Sequence, residues 1–290
     1  MRLDSYLQSL HSLTSDTLRV HASRLVAYFT ETTLAIASGE VTEYGWDYDN
    51  RLSSVVTKDS GGAISKAVEY TYDVYDRRIA KAVDSDGNGP AAATEERYVY
   101  DGEHIALVFD GEGNQVNRYL RGPQIDQVLA EETASGEVRW ALADHQGSVR
   151  DVVDSQGNVL NHLTYDSYGQ VTSETNPESD FRFGYTGRER DEETGLDYYR
   201  ARYFNPAVGT FVSEDPLGFA AGDANVYRYV GNSPTNHVDP NGLMPERSGE
   251  VIGNTAKGIE ADRRLPQRYD LEPQRGATGV HPAFALSINT

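Results

Sequence analysis

The sequence predicts an all-β protein of short strands and tight turns, and three observations predict it. Nineteen tyrosines recur along the chain beside Val, Ile, Thr and Leu, the company of pleated, half-buried strands. Twenty-seven glycines and 11 prolines, many next to Asp or Asn, break these stretches with turn chemistry. A Tyr-Asp step followed by a turn returns at intervals of 24 and 28 residues, from Tyr48 to Tyr72 and on to Tyr100. That interval fits about two strands and their turn.

Composition narrows the function. With 290 residues and 38% hydrophobic content there is enough chain for one or two domains with a sizeable core. The net charge of −19 disfavours nucleic acid and anionic membrane as partners, because phosphate binding needs clustered Lys and Arg. With no cysteine there are no disulfides and no thiolate metal sites. The seven histidines are scattered and no His-Glu-x-x-His occurs, so no metal site and no cofactor is read. No stretch reaches transmembrane length, and Met1-Arg-Leu-Asp-Ser-Tyr6 opens without an apolar signal core. A secreted or cell-surface location therefore calls for a specialised export route or a fused upstream part; without one the chain is cytoplasmic.

In chain order, residues 1–39 are expected to form a helical segment. Leu18, Leu25, Val26, Phe29, Leu34 and Ile36 recur near helical spacing over 5–37, Ser15-Asp16 offers a cap, and Gly39 ends it. Residues 40–179 are repeats: Tyr44 to Leu52, Tyr70 to Ile79, Tyr98 to Ile105 and Leu163 to Val171 each read as strand, turn, strand. Asp84-Ser-Asp-Gly-Asn88, Asp110-Gly-Glu-Gly-Asn114 and Asp154-Ser-Gln-Gly-Asn158 read as hairpin turns, since Gly and Asn tolerate positive φ. They lack the longer oxygen ladder and final bidentate Glu of a Ca²⁺ loop. Asp144-His145 has the look of an acid–base pair, but no Gly-x-Ser-x-Gly elbow accompanies it, and a structural strand–turn unit is the reading.

Residues 180–243 hold the densest signal. Two Asp-Pro-x-Gly units, Asp215-Pro-Leu-Gly218 and Asp239-Pro-Asn-Gly242, stand 24 residues apart, and Arg202 precedes the first by 13. Asp-Pro is first of all a turn starter. Brought together on adjacent hairpins, two carboxylates would also split their pKa values as acid–base chemistry requires, and a guanidinium could hold one ionised. Residues 244–290 are rich in Pro, Gly and Arg, weakly periodic, and expected to be a largely disordered tail.

The run from Gly184-Tyr-Thr-Gly187 through Thr194-Gly-Leu-Asp-Tyr-Tyr-Arg-Ala-Arg-Tyr-Phe-Asn-Pro206, Gly209-Thr-Phe211, Asp215-Pro, Asn225-Val-Tyr-Arg-Tyr229, Asn232-Ser-Pro234 and Asp239-Pro-Asn-Gly-Leu243 resembles the Rhs repeat-associated core. That core belongs to Rhs/YD-repeat polymorphic toxins and to the C subunits of insecticidal toxin complexes. The upstream units resemble YD repeats, extending the likeness to about residue 40. The resemblance implies a β spiral or shell closed by the core, and an aspartyl autoprotease that cuts after the Asp-Pro-x-Gly-Leu motif. Carried over, Asp215 and Asp239 are the catalytic pair, Arg202 supports them, and Leu243–Met244 is cleaved to free the C-terminal segment. It also implies that segment as a partner, with other Rhs or secretion-system components. With about five or six hairpin units the shell is expected to be incomplete, as in a C-terminal fragment of a longer protein. The rival reading is a non-catalytic repeat scaffold, either one binding carbohydrate or a cell surface through its tyrosines, or an inactive orphan fragment.

Overall fold

A computed structural model describes residues 31–35, 39–243 and 245–247. Thirteen strands, from β1 (Glu31–Ala35) to β13 (Val171–Glu174), form one sheet in which each strand lies between its sequence neighbours. Every adjacent pair is antiparallel. The sheet is open, with β1 and β13 at its two ends. A four-stranded sheet follows, β14 (Glu189–Asp191), β15 (Leu196–Tyr199), β16 (Arg202–Asn205) and β17 (Thr210–Phe211), and then a small hairpin of β18 (His237–Val238) and β19 (Glu246–Arg247).

One turn chemistry builds the large sheet. Asp47, Asp59, Asp73, Asp110, Asp144, Asp154 and Asp166 each open a hairpin turn. In each, Oδ1 accepts the backbone N–H groups two and four residues on. The fourth residue of each turn has φ between 61° and 88°, and it is Gly five times, Asn50 once and Asp76 once. That is a turn followed by a left-handed residue and a bulge, and register shifts of one residue lie beside these turns. The Tyr-Asp step is thus a strand end plus a turn cap, with its carboxylate engaged by backbone amides. Asp73→Ala is expected to cost about 1–2 kcal/mol, because two turn amides and the Arg77 guanidinium lose their acceptor. An unchanged urea midpoint would contradict it.

Glu31–Ala35 corrects the predicted helix, which ran to residue 37. These residues pair with Val41–Gly45. Thr32 and Thr33 are β-branched and favour extended backbone, and the neighbouring strand supplies hydrogen bonds that a last helical turn would lack. The rest of that helix lies outside the described residues. So does the tail from 244, apart from 245–247, where Glu246–Arg247 form a strand instead of continuing an unstructured segment.

The large sheet shares its core with the second sheet and with the segment leading into it. Tyr44, Leu52, Val55, Val68, Tyr70 and Val83 of the large sheet pack with Leu196, Tyr198 and Tyr203. Tyr98, Ile105, Val108, Tyr119, Val128, Val149 and Val152 pack with Phe181 and Phe183. Charges cross the same boundary. Arg78, fully buried, pairs with Glu189 and Asp191 at 2.6 Å each, and Arg182 pairs with Glu96 at 2.8 Å.

Asp197, on β15, is buried with Oδ2 unpartnered. Burial pushes its carboxyl up to about 8. A carboxyl that binds its proton more tightly when folded favours the fold at low pH, and that advantage drains away as pH rises through the folded value. Between about pH 4 and 8 this one group should lower stability by about 1.4 kcal/mol per pH unit. Asp197→Asn is expected to remove that slope from urea-derived stabilities, and an unchanged slope would contradict the assignment.

Candidate active site

The site is built on the β15–β16 hairpin. Tyr199 pairs with Arg202 across a two-residue turn, Arg200-Ala201, in which Arg200 has φ 57°. Behind it Tyr199, Phe204, Phe211 and Tyr229 pack edge-to-face or tilted, with centroids 4.5–5.8 Å apart. The Arg202 guanidinium lies 3.7 Å above the Phe211 ring, and that stacking helps to aim its donors.

Each of the guanidinium nitrogens has a defined partner. Nη1 donates to the Val226 carbonyl at 3.0 Å, and Nε donates to the Gly242 carbonyl. Nη2 lies 3.0 Å from Asp215 Oδ2 and 3.5 Å from Asp239 Oδ2. The two carboxylate oxygens are therefore no farther apart than the sum of those distances. All three side chains are buried. The structure thus brings together Arg202, Asp215 and Asp239, three residues chosen from sequence.

Each Asp-Pro turn orients its own carboxylate. In Asp215-Pro-Leu-Gly, Leu217 has φ −78° and ψ −14°, and the Gly218 amide closes onto the Asp215 carbonyl at 2.8 Å, a type I turn. The Leu217 amide donates to Asp215 Oδ1 at 2.8 Å. In Asp239-Pro-Asn-Gly, the Leu243 amide donates to Asp239 Oδ1 at 3.0 Å. Both carboxylates spend one oxygen on the turn and present the other to Arg202. Gly242 has φ 67°, and a Cβ there would stand 2.4 Å from the Tyr199 carbonyl oxygen, so only glycine lets the loop lie against β15.

The peptide linking Gly242 and Leu243 is clamped at both ends. Its carbonyl accepts from Arg202 and its N–H donates to Asp239. The next peptide is Leu243–Met244, on the connection between β18 and β19. Leu243 is half-buried, and Met244 lies outside the described residues. Burial raises the Asp215 carboxyl above the ordinary carboxylate range, against the opposing pull of Arg202 and the Leu217 amide. Burial also lowers the Arg202 guanidinium, against Asp215 and then Asp239. Both shifts have one cause: a desolvated ion pair whose mutual attraction does not fully offset loss of water.

His145 is exposed, and Asp144 is occupied by the Gln146 and Ser148 amides, so that pair serves the turn. The sequence reading missed Arg200 and Asp126. Arg200 stood in the same Tyr-Arg-Ala-Arg-Tyr run and could have been singled out beside Arg202. Asp126, in Gly122-Pro-Gln-Ile-Asp-Gln127, carried no motif, and only the tertiary fold gives it partners.

Residues 36–235 match the Teneurin YD-shell family model. The chain is 39% identical over 133 residues to salivary gland surface protein 1 of Aedes aegypti, covering 45% of this chain and 4% of that protein. It is 33% identical over 205 residues to the tRNA3(Ser)-specific nuclease WapA of Bacillus spizizenii, covering 69% of this chain and 8% of that one. The solved structure of TcdB2-TccC3-TEV superposes with a TM-score of 0.58 at 25% identity, over 72% of this chain and 10% of that chain. The chain thus spans less than a tenth of the length of these two curated relatives. Among the described residues no helix is long and apolar enough to cross a membrane. The sequential open sheet, the turn repeat and the match over two thirds of the sequence agree, and the chain belongs to the Teneurin YD-shell family, within the wider Rhs/YD-repeat group.

Proposed function

We propose that this chain is the shell-and-core portion of an Rhs/YD-repeat toxin protein and cleaves itself once at Leu243–Met244. Residues 40–179 supply the shell segment, 180–243 the core, and 244–290 the segment released. The observation that carries the reading is the double use of Asp239. One of its oxygens holds the Leu243 amide, while the other meets Asp215 at Arg202.

Asp239 takes a proton from a water, whose oxygen attacks the Leu243 carbonyl carbon. Asp215, raised by burial, gives its proton to the Met244 nitrogen as the carbon–nitrogen bond breaks. Leu243 leaves with a new carboxylate and Met244 with a new amine. Clamping of the preceding peptide holds the reacting carbonyl in place, so a modest acid–base pair suffices for a single turnover. The partners proposed are the chain's own released segment and, by analogy with the TcdB2-TccC3 pairing in the similar solved structure, a further toxin component.

Intact mass of the purified chain tests the reading. Two products are expected, one ending at Leu243 and one beginning at Met244. A single full-length mass would end the protease claim and leave a repeat scaffold.

A further inference from the structure

We propose that Asp126 is a positioning residue that ties the loop 239–243 to the repeat sheet through Arg200, so that the loop holds its place only when the core is docked. This rests on the reading of Leu243–Met244 as the cleaved bond and deepens it.

Asp126 belongs to the repeats, in the connection between the strands Gln115–Arg121 and Val128–Thr133. It is buried and has φ 56°, left-handed for a residue with a side chain. Its Oδ1 accepts from Arg188 Nη1 at 2.7 Å and from Arg200 Nη2 at 2.6 Å. Arg200 Nη1 lies 3.3 Å from Asp126 Oδ2 and also donates to the Pro240 carbonyl. One planar guanidinium therefore spans a carboxylate of the repeat sheet and the backbone of the Asp-Pro-Asn-Gly turn. Lys, a single point charge, could not make that fork.

The surrounding contacts brace the same connection. Arg188 donates through Nε and Nη2 to the Tyr198 carbonyl, one residue before the strand end at Tyr199. A Cβ on Gly187 would stand 2.4 Å from the Asp126 carbonyl oxygen, so the core backbone lies directly against this loop of the repeats. Arg200, itself at φ 57°, occupies a backbone region unfavourable to it unless neighbours hold it there. Asp126 touches none of the reacting atoms. It acts through Arg200 on Pro240, two residues before the clamped Gly242–Leu243 peptide.

Amide hydrogen exchange on the full chain tests this, in an Asp215→Asn background expected to remain uncut. Adding Asp126→Asn is expected to speed exchange of the Leu243 amide at least about tenfold, with protection of Ile64–Tyr72 and Arg78–Asp84 unchanged. Arg200→Lys is the second variant, and it should loosen the same amide while retaining the cation beside Asp126. Unchanged protection at Leu243 in both variants overturns the proposal. Loss of protection throughout the Asp126→Asn chain, with Leu243 still protected in Arg200→Lys, overturns it as well, leaving Asp126 a general clamp. In the otherwise native chain, Asp126→Asn should slow cleavage at least about tenfold. If the native chain stays uncut while Leu243 protection still depends on Asp126, the protease reading fails and the positioning role stands.

Discussion

Asp215→Asn is expected to leave the chain at full length, with self-cleavage slowed by at least about a thousandfold. The substitution keeps the shape of the side chain and an oxygen for the Leu217 amide, so the type I turn persists. It removes the carboxyl that burial raises while Arg202 pulls it the other way. Without that proton the Met244 nitrogen must leave as an anion, a far poorer leaving group than an amine. Asp239→Asn should be as severe. It removes the base, and the amide that replaces it can turn a second donor toward Leu243 N–H or Arg202.

The pH dependence has a definite sign. The reaction as written needs Asp215 protonated, so the rate should fall as pH rises through its folded-state pKa, which lies above the usual carboxylate range. The same shift means that neutral Asp215 favours the fold below the unfolded value and that this contribution is lost as pH rises through the folded one. Cleavage and stability at this group should therefore weaken in the same direction. Cell-free synthesis with quenching at timed intervals and intact-mass readout would follow the rate. A rate that increases through that window would reverse the acid–base assignment.

How much of this was legible in the sequence depends on how local the cause is. Turn chemistry is local: Asp at the first position and a left-handed residue at the fourth fix a hairpin from five residues, so the repeat region reads directly from Tyr-Asp steps. The Asp-Pro turns that orient Asp215 and Asp239 are local too. That they meet at Arg202 is not, and it was carried by the resemblance rather than by spacing. Glu31–Ala35 is not legible because Leu34 continues a helical spacing while the pairing that decides the matter comes from Val41–Gly45. Arg78 and Asp126 gave no signal at all. Each is a single charge in an ordinary strand or loop, and its partners lie 111 and 74 residues away in Glu189 and Arg200.

Arg78→Met is expected to destabilise the fold by about 3–5 kcal/mol, the range for breaking a buried ion pair from one side. Arg78 is fully buried, 2.6 Å from both Glu189 and Asp191, and its guanidinium lies 4.5 Å over the Tyr198 ring. Burial drives Asp191 upward, yet Arg78 and then Lys81 overcome it and hold that carboxyl below its ordinary range. Without Arg78, the buried carboxylates of Glu189 and Asp191 lose the guanidinium they share, and Asp191 keeps the Tyr70 hydroxyl at 2.9 Å and Lys81 at 3.7 Å. One must take up a proton, so stability in the variant should fall further as pH rises from 5 to 8, whereas the native pair loses stability only as pH drops through the depressed Asp191 value. The triple change Arg78→Met, Glu189→Gln, Asp191→Asn should recover much of the loss, because the larger cost lies in stranded charge rather than in the missing attraction. Urea denaturation in the uncut Asp215→Asn background separates these cases. A loss below about 1 kcal/mol for Arg78→Met would mean that water enters the boundary, and that the aromatic clusters hold the core to the repeats without the charge lock.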